Sequence, residues 1–215
     1  MPAKTNHMAA GHAAAVEALR DVPQVPGVPK PDPVMIVDHI SRQFGGLKAV
    51  DVTHVEIQRG AITALIGPNG AGKTTLFNLL TGFDNPDTGT WTFNDNSVAG
   101  TPPHRLARMG MVRTFQLTKA LSRMSVIDNM LLGAHGQSGE RVLNALLPFT
   151  WNGQERANRV RAMELLERFN LHEKVDDFAG SLSGGQRKLL EMARALMVGP
   201  EIVMLDEPMA GVNPA

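Results

Sequence analysis

Cysteine is absent from the 215 residues. That excludes a disulfide framework and any thiolate metal site, and it fits a reducing compartment. Net charge is absent as well, because 21 Lys and Arg balance 21 Asp and Glu. The chain therefore carries no global electrostatic footprint for nucleic acid, and any anion must be bound locally. No apolar run reaches the roughly 18 residues that a membrane-crossing helix needs, so work at a membrane would go through a partner. Gly11, His12 and Glu17 interrupt any apolar core of a signal peptide. No tandem repeat is visible, and neither a Ser-His-Asp nor a metalloprotease constellation is present. What remains is ordinary for a soluble globular chain, with 43% hydrophobic and 20% charged residues. The length suits one domain, or one domain with a small subdomain.

Residues 1–33 are set apart by composition. An Ala-rich stretch, Met8 to Arg20, has weak helical character, and the Pro-rich stretch Val22 to Pro33 reads as an extended tether, so the segment is expected to be a disordered tail. Strand patterns begin at Val34: Met35 to Ile40 and Ala49 to Ile57 are β-branched and partly alternating, with Gly45 and Gly46 between them. Ala61 to Ile66 is a further apolar strand candidate, and Gly89 to Asn94 and Met109 to Phe115 are others. Thr101 and Pro102 have the form of an N-cap and first helical position. Ser125 to Asp128 has capping-box spacing. Val160, Met163, Leu166 and Phe169 recur at helical spacing, and Arg156, Arg159 and Arg161 among them read as a solvated face.

The chemistry concentrates at Gly67, Pro68, Asn69, Gly70, Ala71, Gly72, Lys73 and Thr74, which fit G-x-x-x-x-G-K-T between a strand pattern and the helix-compatible run Thr75 to Leu80. This is a phosphate-binding P-loop. Glycines let the backbone turn its N–H groups inward around an anion, and the helix N-terminus adds its positive dipole end. Lys73 is placed to reach the β- and γ-phosphates and Thr74 to offer its hydroxyl to Mg²⁺.

Two later stretches belong with it. Leu182 to Gln186 places Ser183, Gly184 and Gly185 before a long helical run, a second anion-receiving helix N-terminus. One nucleotide needs one γ-phosphate cradle, so the second suggests a partner's nucleotide. Glu201 to Pro208 is an apolar strand ending in adjacent carboxylates, which can put Asp206 near a metal and Glu207 near a water in line with the γ-phosphate.

The order of the P-loop, Phe115-Gln116, Leu182 to Gln186, Ile202 to Pro208 and Gly211 to Pro214 resembles the ATP-binding subunit of an ABC transporter over residues 34–215. Phe44 to Val50, Val112 to Gln116 and Ala210 to Pro214 resemble more narrowly the branched-chain (hydrophobic) amino acid importer group, and within it the larger ATP-binding subunit. The resemblance implies an α/β fold: a RecA-like P-loop NTPase core with an N-terminal antiparallel β subdomain and an inserted α-helical subdomain at about 117–185. It implies ATP and Mg²⁺ as cofactors. Phe44 would stack on adenine, its other reading being a core phenylalanine. Lys73, Thr74 and Thr75 would hold phosphates with the loop backbone, while Thr74, Gln116 and Asp206 would serve the metal. Glu207 would be general base or water positioner, Gln116 a γ-phosphate sensor, and Asn213 part of the loop linking two sites. Ser183, Gly184, Gly185 and Gln186 would complete the site of an opposing subunit. The implied partners are a second ATP-binding subunit, identical or not, transmembrane permease subunits and, indirectly, a solute-binding protein, with no nucleic acid. The implied location is the cytoplasmic face of the inner membrane.

Family members continue beyond the point matching Ala215 with a helix, a strand and a switch histidine, and none of the seven histidines here follows Glu207. A truncated, non-hydrolysing nucleotide-binding or partner-docking fragment is therefore the alternative expectation, with unpaired strand edges where that strand would lie. A soluble ABC ATPase acting on ribosome or DNA is disfavoured by the single ATPase unit and the neutral charge. A GTPase is disfavoured by the lack of an Asn-Lys-x-Asp motif.

Overall fold

The computed structural model describes residues 3–23, 25, 27–114, 121–134 and 152–206. The fold divides into two units, Met1–Leu106 and Ala107–Ala215.

The first unit is built on a four-stranded antiparallel sheet in the order β2-β1-β3-β4, formed by β1 (Pro33–Phe44), β2 (Leu47–Gln58), β3 (Thr88–Phe93) and β4 (Asn96–Ser97). Alternation selects its buried face: Met35, Val37 and Ile40 of β1 are buried with Trp91 and Phe93 of β3, and Val37 pairs with Trp91 and Met35 with Phe93. The β1–β2 hairpin turns on Gly45 and Gly46, both at positive φ, as a two-residue turn with the right-handed strand twist requires. Near this tip the register slips. Arg42 faces Val50 and Gln43 faces Lys48, so Ala49 has no partner and β2 bulges there. Helix α2 (Lys73–Leu80) buries Leu79 and Leu80, and α3 (Pro103–Arg108) buries Leu106. Helix α3 starts one residue later than expected. Pro103 disfavours helical geometry at the residue before it, which moves the start past Pro102.

The segment expected as a disordered tail contains helix α1 (Ala3–Leu19). It rests on the turn after β2: Ala15 is buried, and His12 Nδ1 lies 3.1 Å from the Gly60 carbonyl oxygen. The Pro-rich tether runs beside β2 as a strap. The Lys30 amide donates to Glu56 Oε2, the Asp32 amide to Gln58 Oε1 at 3.1 Å, and the Arg59 amide to the Asp32 carbonyl at 2.9 Å. Its fixed φ angles lower the entropy that ordering costs.

His54 stands under this strap between two carboxylates, with Nδ1 2.5 Å from Asp38 Oδ1 and Nε2 3.2 Å from Glu56 Oε1. The hydrogen bond to Asp38, aided by Glu56, holds its pKa above the ordinary 6.5 against a smaller opposing effect of desolvation. A raised folded-state pKa gives stability that is complete below the unfolded value and lost as pH rises through the folded one. We expect the His54 ring to titrate above 6.5 by NMR and to move down in Asp38→Asn, which should also flatten the fall in thermal stability on the alkaline side. An unmoved His54 titration in that variant would contradict the pairing.

In the second unit β5 (Met111–Thr114) and β6 (Ile202–Leu205) form a parallel pair, with Arg113 opposite Met204 and Thr114 opposite Leu205. Three helices make its apolar core: α4 (Val126–Leu131), α5 (Asn152–Arg168) and α6 (Gly184–Met197). Val126, Ile127 and Met130 pack in one cluster with Ala162, Leu165, Leu166, Leu190, Ala193 and Met197. Ser125 caps α4 by accepting from the Asp128 amide at 3.1 Å. Arg156, Arg159 and Arg161 lie exposed on α5, as a solvated face should.

Ala61 to Ile66 departs from the strand expectation. It has no ladder among the described residues, and Ile62 and Ile66 are 92% and 90% exposed. A strand is defined by the neighbour that pairs with it. Every strand of the first unit is already ordered in the sheet of β1 to β4, which does not include this segment.

Candidate functional site

The loop Gly67–Thr74 is set by its attachment to β2. Gly72 is the N-cap of α2 with φ 82°, and a Cβ built on it would lie 2.0 Å from the Ala49 carbonyl oxygen. Ala49 is the bulge residue, so the slip in the β1–β2 register is what turns a carbonyl against the start of the phosphate helix. Only glycine allows this approach. Lys73 is the first residue of α2, and its ammonium folds back over the loop to donate to the carbonyls of Gly67 at 2.8 Å and Pro68 at 2.7 Å. The same reach across the loop mouth is what pairing with a phosphate requires. Thr74 and Thr75 follow in the first turn of α2, where amides without intrahelical partners favour an anion.

Phe44 ends β1 directly before the hairpin turn and pairs with Leu47. It is 47% exposed, which removes the reading as a core residue. One register step joins it to the loop: Leu47 precedes Ala49 by two residues, about 7 Å of strand at 3.3–3.4 Å per residue. The aromatic ring and the phosphate cradle therefore share one end of the β1–β2 hairpin, a spacing on the scale of a nucleotide. Arg42 lies over the Phe44 ring, 4.8 Å from its centroid. Sequence reasoning passed over Arg42. The i, i+2 spacing to an exposed strand-end aromatic was the available signal.

In the second unit Ser183 is the N-cap of α6 with a complete capping box. Its hydroxyl accepts from the Gln186 amide at 3.2 Å, and its amide donates to Gln186 Oε1 at 2.9 Å. Gly184 and Gly185 open the first turn, and around Gly185 there is open space where a side chain would stand. Gln186 thus has a structural task at this helix start.

Asp206 follows β6 and is buried. It pairs with Arg113 of β5, Nη2 to Oδ2 at 2.8 Å, with 5% and 8% of the two side chains exposed. Sequence reasoning did not find Arg113, because the pair spans 93 residues and depends on the parallel register. Beside β5 a cleft of 270 Å³ is lined by Arg113, Thr114, Leu132, Gly133, Glu191 and Arg194. Gln116, Glu207 and Asn213 lie outside the described residues.

The donors fit ATP and Mg²⁺. The loop offers turned backbone, a helix N-terminus and a lysine for phosphates, and Thr74 offers a hard oxygen of the kind Mg²⁺ takes; in the second unit Asp206 offers another. Among the described residues no group of three or more His, Cys, Asp or Glu could hold a metal by itself.

A family model described as ABC transporter matches residues 50–210. The high-affinity branched-chain amino acid transport ATP-binding protein LivG of Escherichia coli K12 is 44% identical over 184 residues, 85% of this chain and 72% of that protein. The probable branched-chain amino acid transport ATP-binding protein LivG of Archaeoglobus fulgidus is 40% identical over 181 residues, 84% of this chain and 70% of that protein. Among solved structures, the ADP conformation of MJ1267, an ATP-binding cassette of an ABC transporter, superposes with a TM-score of 0.71 at 40% identity, covering 85% of this chain and 71% of the other. A nucleotide-free ATP-binding cassette from an ABC transporter gives 0.69 at 39%, covering 85% and 72%.

Proposed function

The chain belongs to the ABC transporter family of ATP-binding proteins, and we propose that it is the ATPase subunit powering an importer of branched-chain or other hydrophobic amino acids. The observation that carries the nucleotide reading is the loop Gly67–Thr74, pressed by Gly72 against the β2 bulge with Lys73 across its mouth. The branched-chain amino acid transport for which both LivG relatives are named supports the solute class.

In this reading the loop amides and Lys73 hold the β- and γ-phosphates, and Phe44 takes the adenine at the hairpin tip. Thr74, Gln116 and Asp206 hold Mg²⁺, which when bound neutralises charge on the β- and γ-oxygens. Arg113 holds the Asp206 carboxylate in place. Glu207 accepts the proton of the attacking water, and Gln116 reads the γ-phosphate. Ser183, Gly184 and Gly185 close over the nucleotide of a second ATP-binding subunit, and closure of the pair pulls on transmembrane permease subunits. The cleft beside Thr114, with exposed Leu121 and Leu132 nearby in sequence, supports permease docking in this unit. No described helix is long and apolar enough to cross a membrane, so attachment through permease partners at the inner face of the inner membrane is part of the proposal.

The test is ATP turnover by the complex reconstituted with its own permease and solute-binding subunits. Leucine-loaded binding protein should stimulate turnover, and Lys73→Ala should weaken ATP binding at least about tenfold, the scale of a lost charge-assisted hydrogen bond. Undiminished ATP affinity in Lys73→Ala would overturn the phosphate assignment. Stimulation by a polar solute alone would overturn the solute class.

A further inference from the structure

We propose that Arg42, clamped by Asp84 and Asp87, is a positioning residue that backs one face of the Phe44 ring and holds the ring for stacking on the nucleotide base. This rests on the reading of Phe44 as the base platform. Arg42 precedes Phe44 by two residues on β1, which places both on one face of the strand. Its guanidinium carbon lies 4.8 Å from the ring centroid, within cation–π range.

The guanidinium is fixed on three sides. Nε donates to Asp84 Oδ2 at 3.1 Å and Nη2 to Asp84 Oδ1 at 3.0 Å, a bidentate fork, while Nη1 donates to Asp87 Oδ1 at 2.8 Å. Asp87 is itself anchored to the same strand. Its Oδ2 accepts from the Gln43 amide at 2.7 Å, and its own amide donates to the Ser41 carbonyl at 2.8 Å. The Gln43 amide first, and then the Arg42 guanidinium, hold the Asp87 carboxyl below the usual carboxylate range.

Asp84 ties the arrangement to the phosphate helix. The amides of Phe83 and Asp84 donate to the Asn78 carbonyl of α2, at 2.9 and 3.2 Å. The residue under the ring is thus bolted to the far end of the helix whose first turn follows the phosphate loop. A surface ion pair needs neither a bidentate fork nor a second carboxylate, and Arg42 and Asp84 keep only 24% and 27% of their side chains exposed. With one ring face against the guanidinium, a planar base has the other face to use. A ring free to rotate would lose orientation entropy on each binding event.

The experiment compares two ligands on the full chain, ATP and inorganic tripolyphosphate, by equilibrium titration. Arg42→Lys keeps the charge and loses the planar fork. It should weaken ATP about three- to tenfold, the range of a partly desolvated cation–π contact, and leave tripolyphosphate unchanged. Asp84→Asn, which opens the clamp without touching the ring, should do the same to a smaller degree and serves if Arg42→Lys does not fold. Arg42→Lys added to Phe44→Ala should cause no further loss. Equal weakening of both ligands by the clamp variants would reduce Arg42 to a fold contact and overturn the proposal, as would an unchanged ATP affinity while Phe44→Ala remains selective for ATP. If Phe44→Ala itself shows no selective loss of ATP, the base-platform reading fails and this inference falls with it.

Discussion

Gly72→Ala is expected to cost about 2–5 kcal/mol of stability and to weaken ATP binding at the same time. Two penalties combine at this position. The backbone is left-handed, φ 82°, which costs an L-residue about 1–2 kcal/mol. A methyl group would also stand 2.0 Å from the Ala49 carbonyl oxygen, and overpacking costs about 1–3 kcal/mol when backbone must shift. The clashing atom is main chain in the β2 bulge, so no rotamer change relieves it. Gly70 provides the control, having the same φ of 82° with nothing within 4 Å of a built Cβ. Gly70→Ala should show the conformational penalty alone. Thermal unfolding of the two variants should therefore separate them, with Gly72→Ala melting lower and binding ATP more weakly. Equal melting temperatures would mean that the loop does not press on the bulge.

The largest effect on turnover is expected from Glu207→Gln. Asp206 follows the last strand of the parallel pair and is held there by Arg113, and Glu207 is the next residue in the sequence. Replacing a carboxylate by its amide preserves size and removes the proton acceptor. A positioned general base contributes about 10²–10⁴ in rate, and the loss of turnover should fall in that range. ATP binding should survive, because the proposed phosphate contacts belong to the loop and Lys73. Single-turnover hydrolysis beside an equilibrium ATP titration separates the two properties. Turnover within about threefold of the parent would assign the base elsewhere.

Short-range chemistry was legible in the sequence and long-range pairing was not. The glycine spacing of the phosphate loop and the Ser125 and Ser183 caps act within a few residues, and the structure places the loop and both caps where that spacing puts them. The hairpin was legible because Gly45 and Gly46 stand between two alternating runs. The Ala49 bulge was not, since a register slip leaves no residue-type signature in the strand that carries it. Arg113 and Asp206 meet only through a parallel register across 93 residues, and Arg42 finds its carboxylates 42 and 45 positions away. The α1 helix was read as part of a tail because its apolar positions do not gather on one face. Its seat on Gly60 depends on small residues, Gly11 and Ala15, fitting a turn. Ala61 to Ile66 shows the reverse case, where β-propensity without a neighbour produces no strand.

That same segment enters the phosphate loop, and its exposed, unladdered backbone gives it a thermodynamic role. The loop is anchored where Gly72 meets β2. A strand pairing along Ala61 to Ile66 would anchor the other side, and so would a nucleotide drawing in the amides at Gly67 to Gly72. Two events that order the same stretch share one entropic cost, and whichever comes first removes it for the second. If both drew on that cost they would be linked ligands, each raising the affinity of the other by one common factor.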